Sequence, residues 1–170
     1  KVMKKGNAAR VPEILNSKDP EYKEDDKNYL SGAWFELYCY KVFKKAFHLS
    51  DAQIACNVYI KRKDSASKTA KDHEFDLMFI YQNDLYVMEC KVFSGSTLDR
   101  EKLRVPMFKL ASITKNFGLR SKKYLAVLSR VYGKHIKREY IENLQYMLGI
   151  EKVLDIEDFR RHQGRDLLRN

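Results

Sequence analysis

Apolar positions recur along the chain at two different periods. From Tyr29 to Phe47 the spacing is helical, with Leu30, Ala33, Trp34, Leu37 and Tyr38 in step, and the run is apolar almost all round. This predicts a helix buried on more than one side, with Ser31 or Asn28 able to cap it. Ile54 to Ile60 predicts a strand. Glu74 to Tyr81 and Leu85 to Val92 are rich in aromatic and β-branched residues, and Gln82-Asn83-Asp84 between them is turn chemistry, so the pair predicts a β-hairpin. Pro106 suits the first turn of a helix that puts Met107, Leu110, Ala111 and Thr114 on one face and stops at Gly118 after Phe117. Lys122 to Leu128 predicts a buried strand, and His135 to Leu148 a helix closed by Gly149. A short strand over Ile150 to Leu154 and a last helix over Ile156 to His162 follow, before a basic tail with Arg160, Arg161, Arg165 and Arg169. The predicted order is helix, three strands, helix, strand, then helix, short strand and helix. That order makes an α/β fold, a mixed sheet flanked by helices.

Residues 1–28 break the pattern. They are polar, with Pro12, Pro20 and a mixed-charge run from Lys18 to Lys27, and suit a lead-in or linker ahead of a domain over 29–170. A chain of 170 residues fits one domain and needs neither disulfide nor structural metal to bury its core. Cys39, Cys56 and Cys90 are odd in number and contain no CxxC pair, and the four histidines are scattered, which argues against zinc and for a reducing, cytoplasmic setting. No apolar run is long enough to span a membrane, and no signal peptide is expected. The chain opens at Lys1 rather than Met, which is compatible with a fragment of a longer protein.

Charge changes the picture more. Lys and Arg number 33 against 23 Asp and Glu, a net +10. Such a balance favours a polyanionic partner, nucleic acid first among them. The loop that starts Lys61-Arg62-Lys63 is either a solvated hairpin loop or a basic segment that touches phosphates.

The hairpin carries charges that a plain buried hairpin would not. Asp76, Glu89 and Lys91 lie inside apolar runs, and a buried charge costs several kcal/mol unless paired. Glu89 and Lys91, two apart, share a face. A two-residue loop of Asn83-Asp84 sets Asp76 opposite Lys91 and diagonal to Glu89. A three-residue loop sets it opposite Cys90, on the other face. Glu36 is the one charge between Ala33 and Tyr40 on the first helix, either paired locally or aimed at the same site. Three acids suit a hard cation such as Mg2+ or Mn2+. Asp76 and Glu89 would ligate it directly, the Cys90 backbone carbonyl would add an oxygen, and Glu36 would reach in directly or through water. Lys91 would orient or deprotonate a water, or stabilise the oxyanion formed at phosphorus.

A helix glutamate, a strand aspartate and a Glu-x-Lys on the next strand resemble the PD-(D/E)XK nuclease superfamily. The resemblance implies a restriction-endonuclease-like α-β-β-β-α-β core with Glu36, Asp76, Glu89 and Lys91 as catalytic residues. Phe75 stands where that family often has proline before the aspartate. Gly32-Ala33-Trp34-Phe35-Glu36, Glu74-Phe75-Asp76, Glu89-Cys90-Lys91, Phe108-Lys109-Leu110 and the strand Lys122 to Leu128 further resemble the C-terminal nuclease domain of CRISPR-associated proteins with an N-terminal CARF sensor. The likeness covers about residues 29–130. It implies a metal-dependent nuclease for single-stranded RNA or DNA, switched by cyclic oligoadenylate, working as a homodimer, with its sensor domain absent from this chain. It also places Lys109 at a basic position that contacts nucleic acid, where an exposed helix lysine is the alternative. A non-catalytic nucleic-acid-binding or assembly module is the competing reading of the same scaffold. A third reading makes Asp76, Glu89 and Lys91 ordinary cross-strand ion pairs.

Overall fold

The computed structural model describes residues 32–60, 73–93, 98–115, 117–118, 121–131, 136–162 and 164–168. The first element is helix α1, Trp34–Phe47. It buries Phe35, Cys39, Phe43 and Phe47, one every four residues, so a single apolar line faces the sheet. His48 ends it in the left-handed region at φ 54°. The cap residues proposed from sequence, Asn28 and Ser31, lie outside the described residues.

Strands β1 (Ile54–Ile60), β2 (His73–Tyr81) and β3 (Asp84–Lys91) run antiparallel in sequence. Helix α2 (Arg100–Thr114) then crosses over to β4 (Ser121–Val127), which lies parallel to β3. Helix α3 (Arg138–Leu148) leads to β5 (Lys152–Leu154), parallel to β4. Helix α4 (Ile156–Arg161) and a 3-10 turn over Gly164–Leu168 close the fold. The five strands lie in sequence order in one mixed sheet, and the first helix, three strands, helix and strand are those expected.

One core cluster lies on each face of the sheet. Phe35, Phe43, Leu77, Phe79, Tyr86 and Met88 fill one, under α1, with Leu167 of the 3-10 turn at its rim. Val87, Leu103, Met107, Leu125 and Ile141 fill the other, under α2 and α3. Each such side chain contributes about 1.5–3 kcal/mol by leaving water.

Three expectations are corrected. The hairpin turn is Gln82-Asn83, not Asn83-Asp84, because both residues take positive φ, 49° and 66°. Two consecutive left-handed residues make the turn whose twist matches a hairpin. Helix α2 begins six residues before Pro106. Asp99 starts it by accepting the Lys102 N–H at 2.8 Å, and Pro106 sits buried inside the helix. The same helix ends at Thr114, whose hydroxyl donates back to the Leu110 carbonyl at 2.6 Å, so Gly118 is not its terminator although its φ is 84°. Gly149 does close α3, at φ 60°.

Candidate active site

The hairpin places the charged residues. The last β2–β3 pair toward the open end is Leu77 with Met88, and one further step sets Asp76 level with Glu89. The true turn lies one residue earlier than the two-residue loop proposed from sequence. Asp76 therefore moves by two positions, from Lys91 to Glu89, and keeps its face.

Around Asp76 the sheet is irregular. The β1–β2 pairing joins Cys56 to Leu77 and Val58 to Phe75 but skips the step between, Asn57 with Asp76. Asn57 takes φ 51°, which asparagine tolerates better than most residues. The strand turns over there: Leu77 packs under α1 while Phe75 packs under α2, although two residues apart in a flat strand would share a face. Asp76 is thereby aimed along the strand end. Its Oδ2 accepts the Cys90 N–H at 2.6 Å.

Three charges meet beside it. Lys91 Nζ lies 2.7 Å from Glu89 Oε1 and 3.5 Å from Asp76 Oδ2. Lys109, from α2, reaches the same Glu89 Oε1 at 2.8 Å. Glu89 is 1% exposed and Asp76 7%. The two ion pairs of the third reading, Glu89 with Lys91 and Asp76 with Lys91, are both present, sharing one ammonium. Burial pushes the Asp76 carboxyl up, the Glu89 carboxylate adds to the effect, and Lys91 and the Cys90 amide oppose it. Burial alone would lower Lys91, but attraction from Asp76 and Glu89 outweighs it, and the ammonium is held above its ordinary value.

Glu36 sits on α1, half-buried, with its pKa pushed up to about 6 by burial and then by Asp76. It feels the site without joining its contacts, and among the described residues no three His, Cys, Asp or Glu side chains converge as a ready metal-ligand set. Lys61, Arg62 and Lys63 lie outside the described residues. Of the Cys90 main chain, the amide is seen engaged. The direct hold of Lys109 on Glu89 was not legible in sequence, since it depends on how α2 crosses the end of β3. The donor chemistry fits a hard divalent ion: Mg2+ commonly takes one or two carboxylates and completes its shell with water and phosphate oxygens. A cleft of about 1010 Å³ near α3, β5 and α4 is remote from this chemistry, and its charges pair with one another, Arg138 with Glu142 and Arg161 with Glu157.

The family model of the Card1-like endonuclease domain matches residues 23–161. The chain belongs to that family. Solved structures agree on the fold of this Card1-like domain. Can2 from Sulfobacillus thermosulfidooxidans, in complex with cyclic tetra-adenylate, superposes with TM-score 0.62 at 18% identity over 100% of this chain and 46% of that one. VC1899 from Vibrio cholerae gives TM-score 0.59 at 17% identity over 95% of this chain and 39% of that one. AF1548, a protein of unknown function, gives 0.52 at 12% identity over 80% of this chain and 64% of that one. The Card1-like domain thus spans less than half the length of Can2 and of VC1899. No curated protein sequence matches it significantly. No helix among its described residues is long and apolar enough to cross a membrane.

Proposed function

We propose that this Card1-like endonuclease domain cuts phosphodiester bonds of single-stranded RNA or DNA with Mg2+ or Mn2+, as the effector part of a CRISPR-associated defence protein. The observation that carries the reading is the convergence of Asp76 and Glu89 on one ammonium at the irregular end of the hairpin. Asp76 and Glu89 would hold the ion, with the Cys90 carbonyl and Glu36 as further oxygen donors, Glu36 directly or through water. Bound there, a divalent ion neutralises charge on a phosphate oxygen and makes water a better nucleophile. Lys91 donates to the oxyanion that develops at phosphorus. Two carboxylates keep it charged, which suits a donor and disfavours a base. Lys61, Arg62, Lys63 and Lys109 contact phosphates, giving affinity without sequence readout. The bound cyclic tetra-adenylate of Can2 supports a sensor for such a ligand in a domain outside this chain; a homodimer working in the cytoplasm completes the proposal on the sequence resemblance alone.

Incubation with Mn2+ and labelled single-stranded RNA and DNA tests the proposal. The wild type cuts, EDTA stops it, and Asp76→Asn and Glu89→Gln cut orders of magnitude more slowly. Equal cutting by the two variants would remove the site. The non-catalytic reading has one observation of its own, that Glu89 Oε1 accepts from two lysines. It predicts salt-sensitive binding that EDTA leaves unchanged and no cutting at all.

A further inference from the structure

We infer that Lys109 is a resident counter-ion which a divalent cation displaces from Glu89, and that the freed ammonium then meets a substrate phosphate. The inference rests on the metal-dependent reading above. Asp76 and Glu89 bring two negative charges, and Lys91 and Lys109 bring two positive ones. These four formal charges sum to zero. Both ammoniums crowd Glu89 Oε1, at 2.7 and 2.8 Å, on a carboxylate that water scarcely reaches. A doubly charged ion on Glu89 repels both, and the one that yields is the one that loses least.

Lys91 touches both acids and rises from the strand that carries Glu89. Among the described residues Lys109 pairs with Glu89 and reaches Asp76 only through its field; it belongs to helix α2, and its side chain is 42% exposed against 35% for Lys91. Its ammonium returns to water by rotating a flexible stem, at little desolvation cost. Released from Glu89, it has the exposed side of α2 to swing along, marked by Val105 one turn earlier. A polyanion approaching the carboxylate pair then meets it. Two consequences follow. Lys109 competes with the ion for Glu89, and by reciprocity the ion and the nucleic acid strengthen each other's binding.

Calorimetry of Mn2+ on the full chain separates the cases. Lys109→Ala binds Mn2+ about two- to fivefold more tightly than wild type, the range for losing one partly exposed competing ion pair. Lys102→Ala, which removes the same charge from the same helix away from Glu89, leaves the affinity unchanged. With a phosphorothioate oligonucleotide, chosen to resist cutting, Mn2+ raises the affinity of wild type and of Lys109→Arg by a larger factor than that of Lys109→Ala. Mn2+ binding by Lys109→Ala no tighter than wild type, or equal tightening by Lys102→Ala, overturns the displacement. If the wild type and Lys109→Ala both bind no Mn2+, the metal-dependent reading itself fails, and this inference with it.

Discussion

The two ends of the β2–β3 hairpin share strands and solve opposite problems. At the turn end the pairing is complete from Leu77–Met88 to Tyr81–Asp84, and aromatic rings stack across it, Phe79 on Tyr86 and Tyr86 on Tyr124. The charged pair seen there among the described residues, Lys122 with Asp84 at 2.9 Å, is simple and partly exposed. At the other end a pairing step is missing, Asn57 is left-handed, and two acids and two lysines meet where water is scarce. Regular pairing consumes backbone groups and fixes side chains to alternate faces. Where it lapses, a carboxylate can turn onto a neighbouring strand's amide and stand beside another carboxylate. The fold is stabilised at one end and spends that stability at the other.

Exchange of the two hairpin aspartates gives the largest contrast. Asp76→Asn lowers the rate of cutting by roughly 10³-fold, on the scale of losing one electrostatic stabiliser of the transition state, while Asp84→Asn cuts at the wild-type rate. Equal loss from both would erase the difference between the ends. Lys91→Met comes next and is read as stability. Breaking a buried pair costs about 3–5 kcal/mol, but Lys91 is a third exposed and Lys109 remains, so the loss in urea denaturation is about 1–2 kcal/mol. Mn2+ restores part of it by binding only the folded state.

Glu36 sharpens the comparison through pH. Its carboxyl, held at about 6 against an ordinary 4.5, binds a proton more tightly folded than unfolded. Ion-free stability therefore falls as pH rises from 4.5 to about 6, and Glu36→Gln flattens that part of the profile. A slope unchanged in the variant would assign it to other acids. The smallest effect belongs to the turn. Replacing Gln82-Asn83 by Asn-Gly relieves two left-handed residues and raises the melting free energy by about 0.5–1 kcal/mol, with cutting unchanged.

Much of this was legible in the chain because its signals are local. Strand Ile54–Ile60 has the expected limits, and Gly149 closes α3 at the expected place. The pairing of Glu89 with Lys91 on one face followed from their spacing alone. What escaped depends on contacts between distant segments. Pro106 gave a strong first-turn signal, but Asp99 competes for the same role, and a helix already held by Leu103 and Met107 against the sheet tolerates a proline within it. The turnover at Asp76 has no trace in the alternation of Glu74-Phe75-Asp76-Leu77. It arises from Asn57 on the neighbouring strand and from the Cys90 amide. The hold of Lys109 on Glu89 likewise appears only once α2 is laid across the sheet.

The left-handed Asn57 has a second effect, at the rim of the molecule. Strand β1 borders the described sheet, where a straight run of unpaired amides and carbonyls would invite a stray chain to add itself and begin aggregation. A backbone reversal midway along that border denies such a visitor a continuous template. The left-handed residue that accompanies the turn of an acid toward its partners thus also interrupts the regularity of the described sheet's border.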